Sequence, residues 1–195
     1  MSVIFVQKKE VRAMARKKIS LANIILDIGC GIKPQSFIQA EIHVCIEPHL
    51  EYMEYLVKKA PHENYVYMNS KAEVTLKLFH TKSVDSIFMI DVIEHIEKSD
   101  GLELLKQSER IAKNQIIIMT PLGFYPQVHI EGRKDRWGLH GGEFQRHRSE
   151  WHIQDFDDTW DLICVKEYHL DDGYGNVFDK PIGIIWAIKN IRKEE

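Results

Sequence analysis

Short runs of apolar, largely β-branched residues alternate with segments of helical period, and no other feature of the chain restricts its fold as much. The runs are Ile24–Ile28, Ile42–Glu47, Tyr65–Met68, Asp85–Ile90 and Gln115–Thr120. Between them lie Leu50–Lys59 and a stretch over 100–112 that sets Leu102, Leu105, Ile111 and Ala112 on one helical face. Strands that alternate with helices predict a mostly parallel sheet covered on both faces. An N-terminal helix is expected within residues 1–20, over 8–19. Leu162–His169 and Ile182–Asn190 add two strands, joined by the turn-rich Asp171-Asp172-Gly173-Tyr174-Gly175-Asn176. A joint with no room for a helix favours an antiparallel pair. The expectation is a doubly wound α/β sheet of seven strands, mostly parallel, with an antiparallel C-terminal strand pair. With 195 residues and no repeat or linker, the chain reads as a single domain, 1–195.

Composition narrows the partners. The formal net charge is −3, so no global basic field draws the chain to nucleic acid or an anionic membrane. One basic stretch, Lys8, Lys9, Arg12, Arg16, Lys17 and Lys18, reads as a solvated helix face, and nucleic acid is not the expected partner. Cys30, Cys45 and Cys164 are odd in number and far apart, with no C-x-x-C pair, which suits a reducing cytoplasm. The first residues are apolar for too short a run to read as a signal peptide, and no stretch approaches a membrane span. A cytoplasmic protein without a membrane partner is expected. Nothing in the sequence specifies its oligomeric state.

The first apolar run ends in Asp27-Ile28-Gly29-Cys30-Gly31. Glycines there permit positive φ and let a ligand approach the backbone, in the crevice at the carboxyl end of the strand. Glu47 ends the next run, where a carboxylate can accept hydrogen bonds from both hydroxyls of a ribose. A dinucleotide fingerprint wants a third glycine opening a helix. Here that place holds Pro34, which also turns Lys33 away from helix. A ligand with a sugar but no pyrophosphate fits better than a nicotinamide dinucleotide.

In these residues the chain resembles the class I S-adenosylmethionine-dependent methyltransferases, a Rossmann-like family. Leu26-Asp27-Ile28-Gly29-Cys30-Gly31 is similar to their first motif, Glu47 to the acid ending their second strand, and Ile90-Asp91-Val92-Ile93-Glu94-His95-Ile96 to the motif closing their fourth. The resemblance implies S-adenosylmethionine as cofactor and methyl transfer as activity. It sets Asp27 and Gly29 beside the methionyl part, with Gly31 letting the cofactor approach the backbone, Glu47 at the ribose hydroxyls and Asp91 at the methionyl end, and it counts Cys30 and Pro48 among the cofactor-binding residues. The adenine contact falls to Asn69 or Glu73.

Residues 122–152 have no sustained period and are rich in Gly, His, Arg and aromatics, including Tyr125, Arg133, Trp137, Arg146, Arg148 and Trp151. They read as a lid over an acceptor. His95 is the first candidate for a general base, with His129 and His147 as further ones. No metal site is expected, because His147 and His152 are five apart and no H-x-x-x-H pair occurs. The reading favoured is a methyltransferase for a small-molecule acceptor. In competition stand a non-catalytic cofactor-binding module or subunit, an RNA or protein methyltransferase, and a nicotinamide-dependent oxidoreductase.

Overall fold

The computed structural model describes residues 2–127 and 132–191. Its strands are β1 (Ser2–Phe5), β2 (Ile24–Ile28), β3 (Ile42–Ile46), β4 (Tyr65–Met68), β5 (Val84–Ile90), β6 (Ala112–Leu122), β7 (Trp160–Asp171) and β8 (Val177–Asn190). The helices are α1 (Lys8–Lys18), α2 (Leu50–Lys59), α3 (Ala72–Thr75) and α4 (Lys98–Ile111). All the strands join one sheet in the order β1-β7-β8-β6-β5-β2-β3-β4. Pairing is parallel from β6 to β4, whereas β8 runs antiparallel to both β6 and β7. The sheet thus has the expected class, with one strand more than the sequence suggested. The extra strand, β1, lies parallel to β7 with Ser2 opposite Asp161 and Phe5 opposite Cys164. It is too short and too near the terminus for its apolar residues to show a period.

Alternation along the strands divides the core into two layers. On one face Leu26, Ile87, Met89, Ile116 and Ile118 pack against α4 and the aromatics Trp151, Phe156 and Trp160. On the other, Ile25, Phe88, Ile117, Ile163 and Trp186 pack against Val11 and Ala15 of α1 and against Phe37, Ile38 and Ala40. Within α4 the buried residues are Gly101, Leu104, Leu105, Ser108 and Ile111, while Leu102 is exposed. The expected face was therefore turned toward Leu102, when the close approach of Trp151 at Gly101 sets it instead.

Between Gly31 and Glu41 there is no helix. Pro34 disfavours helix before it, and the buried Gln35 fixes the chain instead, donating from its Nε2 to the Ile38 carbonyl and accepting from the Phe37 N–H. By contrast, Pro121 does not stop β6, which continues to Leu122. Residue 121 shares parity with Met119, whose carbonyl accepts from Asp91 N. Its nitrogen therefore faces the side where β5 has already ended, and no ladder bond is lost. No described helix is long and apolar enough to cross a membrane. Several of the basic residues near α1 are engaged within the fold: Lys8 donates to the Tyr168 carbonyl, Arg12 lies over Phe37, and Lys18 pairs with Asp161 at 2.8 Å.

Candidate functional site

The strand order reverses between β2 and β5, so their carboxyl ends open a crevice. A cavity of about 1090 Å³ occupies it, lined by the β2–β3 loop, the segment after β5 and much of the chain after β6. Such a volume accommodates a nucleoside-sized cofactor together with a second small molecule, since single drug-sized ligands take roughly 300–1,000 Å³.

One half of the cavity is built on β2 and β3. Gly29 and Gly31 both have positive φ, +62° and +55°. The Gly29 N–H donates to the Ile46 carbonyl at 2.8 Å, tying the turn to β3. A Cβ on Gly29 would strike Val92 at 2.7 Å, whereas one on Gly31 would meet no atom of the described residues within 4 Å. The loop is therefore a cradle whose second glycine leaves room for a ligand against the backbone. Asp27 is buried, accepts from Gln35 N at 2.7 Å and lies 3.0 Å from His43 Nε2. Burial opposes a charge on His43, but the Asp27 carboxylate outweighs it and lifts the imidazole pKa to about 9.

Glu47 is buried and receives N–H groups from Gly31 at 3.0 Å and His49 at 2.8 Å, one on each oxygen. Burial pushes its pKa up to about 7, against the pull of these two donors. Each carboxylate oxygen retains a further acceptor position, so a vicinal diol can still be received. Pro48 and Glu73 line the cavity; Asn69 does not, donating instead to the carbonyls of Glu47 and Pro48.

The other half lies past β5. Asp91 has φ +55°, uncommon for a residue with a side chain, and is exposed on the cavity wall. Partial desolvation by the surrounding protein raises its pKa to about 6, with Arg136 pulling the other way. Glu94, in the turn Ile93–His95, is fully buried; desolvation and the neighbouring Asp91 hold its carboxyl well above the ordinary range. His95 donates from Nδ1 to the Arg146 carbonyl at 3.2 Å, which leaves Nε2 with its lone pair. Burial lowers its pKa to about 4 and that of His147 to about 3, so both rings are neutral at pH 7. The two imidazoles meet edge to face with centroids 4.5 Å apart. Tyr125 packs on His147 and His169, and its hydroxyl accepts from Arg136 at 2.8 Å.

The excursion after β6 is narrower than 122–152. Gly123 bridges to Trp151, so its ends belong to the sheet margin. Trp151 is fully buried; its indole N–H reaches the Ile93 carbonyl and Ser149 Oγ, and Lys98 sits over the ring. It is a core residue, not part of a cover. Described residues nearer its middle line the cavity and tie to its cofactor half. Trp137 receives the Lys33 ammonium over its ring at 4.2 Å, Asp135 accepts from the Tyr52 hydroxyl, and His140 N donates to Glu51 at 2.8 Å. His129 lies outside the described residues.

Of the residues singled out in the sequence, Asp27, Gly29, Cys30, Gly31, Glu47, Pro48, Glu73, Asp91, His95 and His147 share this one cavity. Sequence reasoning missed Arg136, Tyr52 and His169, which carry no motif. Glu94 entered it only as one residue of the run over 90–96. The absence of helical histidine spacing suggested no metal-type cluster, yet Glu94, His95 and His147 bring one ligand atom each within 4.8 Å of one another. Their spacing was illegible because a turn and a distant loop, not one helix, supply them.

The family model of the methyltransferase domain matches residues 26–119, from β2 into β6. A protein from Bacillus halodurans assigned as a methyltransferase superposes with a TM-score of 0.64 at 11% identity, covering 95% of this chain and 100% of that one. One from Listeria monocytogenes, assigned as S-adenosylmethionine-dependent, gives 0.61 at 10% identity, with 95% and 99% covered. An S-adenosylmethionine-dependent methyltransferase from Archaeoglobus fulgidus gives 0.51 at 16% identity, with 93% and 92% covered. At such identities the structural likeness is one of fold. No curated protein matches the chain.

Proposed function

We propose that this chain, an S-adenosylmethionine-dependent methyltransferase of the class I fold, methylates a small molecule enclosed beneath the segment that follows β6, all within one domain. The observation that carries this reading is the tie of that segment across the cavity. Lys33 to Trp137, Tyr52 to Asp135 and Glu51 to His140 join it to the cofactor half. Arg148 N and Ser149 N, both donating to the Glu94 carbonyl at 2.7 and 3.1 Å, join it to the half past β5. A cover anchored on both sides leaves an enclosed acceptor space rather than an open track for a polymer.

In this reading the cradle at Gly29–Gly31 and the Asp27 carboxylate hold the methionyl part, and Glu47 accepts the ribose hydroxyls. Glu73 is the better adenine contact, because Asn69 is engaged with the Glu47 and Pro48 carbonyls. Bound S-adenosylmethionine supplies a methyl group on a sulfonium whose departure leaves a neutral thioether. The chain's own work is then alignment and exclusion of water, together with removal of an acceptor proton where the acceptor carries one. His95 Nε2, neutral and facing the cleft, is the group for that proton. Tyr125 and Arg136 form the wall opposite.

The test is transfer of labelled methyl from S-adenosylmethionine into separated fractions of a cell extract. Label is expected in a low-mass product that is resolved by chromatography from S-adenosylmethionine and is absent without the enzyme. Label in the RNA or protein fraction alone would overturn the small-acceptor reading while leaving methyl transfer intact.

A further inference from the structure

The geometry points to a divalent transition-metal site formed by Glu94, His95 and His147, with its open side toward the acceptor half of the cavity. One ligand atom from each residue lies within 4.8 Å of the others, close enough for a small side-chain adjustment to bring them onto one ion, whose ligand atoms stand at most about 4.2 Å apart. Two of these side chains hold polar atoms that no described residue satisfies. Glu94 is 1% exposed, with its carboxyl beside that of Asp91 and with Oε1 receiving no hydrogen bond from a described donor, and His147 is 8% exposed with Nδ1 unpartnered among the described residues. Buried polar atoms left without a partner are rare in folded chains, and two in one cluster need an explanation. A cation explains both at once.

The surrounding contacts orient the set as supporting contacts around metal ligands do. His95 Nδ1–H is fixed on the Arg146 carbonyl, which leaves Nε2 as the nitrogen with a free lone pair. Glu94 Oε2 accepts from Thr120 Oγ1 at 3.0 Å, which leaves Oε1 as the free oxygen. The loop carrying His147 is stitched in place, with its own N–H on the Gln127 carbonyl and the next two N–H groups on the Glu94 carbonyl. The ligands are therefore pre-organised.

Two imidazole nitrogens and one carboxylate oxygen suit zinc and its first-row neighbours better than magnesium or calcium, which prefer oxygen alone. Three protein ligands with open positions are the pattern of catalytic rather than structural sites. His95 and His147 line the cavity, so the open positions face the space assigned above to the acceptor. With the ion bound His95 would be a ligand, so the base role given to it above belongs to the ion-free site; an alcohol oxygen on the ion would release its proton to water more readily than a free one. That role rests on the methyltransferase reading; the site itself does not.

The experiment uses the full chain without a histidine tag, stripped with chelator, and titrates it with Co²⁺ and Zn²⁺ by calorimetry and by the visible absorption of bound Co²⁺. One ion per chain is expected, with affinity reduced upwards of about 100-fold in His147→Gln, beyond what loss of a supporting outer contact costs. His147→Cys should retain the ion and gain a thiolate-to-cobalt charge-transfer band. Glu94→Gln is a second probe, checked by circular dichroism because the residue is buried. S-adenosylhomocysteine binding is measured on the same samples. Wild type that binds S-adenosylhomocysteine but no ion, or an ion equally well in His147→Gln, overturns the metal site and leaves the methyltransferase reading standing. Wild type that binds the ion but no S-adenosylhomocysteine does the reverse.

Discussion

Glu47 offers the sharpest test of the cofactor half, because its environment predicts both a magnitude and a pH profile. Its two oxygens already organise the loop, one accepting from Gly31 N and the other from His49 N. Replacement with Gln keeps the shape but turns one acceptor into a donor. One of the two backbone N–H groups then faces an amide N–H₂, and the ribose loses one charged acceptor. A hydrogen bond to a charged group contributes about 1.5–3 kcal/mol, which corresponds to roughly 10- to 150-fold in affinity. Glu47→Gln should therefore weaken S-adenosylhomocysteine binding by that factor.

The pH profile follows from the sign of the shift. Burial raises the Glu47 pKa to about 7, so the carboxylate that accepts the diol is present above pH 7 and is lost as pH falls. Affinity should fall by up to about tenfold per unit below that point, the limit for one proton. Calorimetry from pH 5.5 to 8.5 reads both effects, and the variant should show the lower affinity with a flattened profile. A wild-type Kd that is constant across this range, or a variant that binds as tightly at pH 8, would refute the placement of the ribose on Glu47.

Two further perturbations separate roles that the sequence alone merges. Gly29→Ala and Gly31→Ala impose the same left-handed strain, about 1–2 kcal/mol, but only the former drives a Cβ to 2.7 Å from Val92. Urea denaturation should find Gly29→Ala the less stable of the two, whereas Gly31→Ala should lose cofactor affinity out of proportion to its stability. Trp151→Ala should cost about 3–5 kcal/mol, as for a large core aromatic, because the ring is fully buried; a residue in a mobile cover would cost almost nothing by the same measurement.

How much of this was legible before the structure depended on whether a signal was local. β2, α2 and β4 fall where period and punctuation placed them, since each is bounded by its own breakers. The turn at Gly29–Gly31 follows from its two glycines and the missing helix after it from Pro34, six residues of sequence acting on themselves. Trp151 was misread for the opposite reason. It sits in an aperiodic stretch, and its burial is decided by Gly101, fifty residues earlier, which leaves a hollow on α4 for the indole.

The cluster past β5 shows the same limit at the level of chemistry. Glu94 and His95 are adjacent in sequence, so on a regular strand they would point to opposite faces, and on a helix they would stand 100° apart. A single turn at Ile93–His95 breaks both rules and lets the two side chains converge. The third member arrives only because Arg148 and Ser149 donate their N–H groups to the Glu94 carbonyl, which carries His147 back over the turn. A spacing rule searches for ligands that one element presents. Here the backbone hydrogen bonds between two elements do the presenting, and substitutions that weaken the Arg148–Ser149 tether should loosen the cluster without touching any of its side chains.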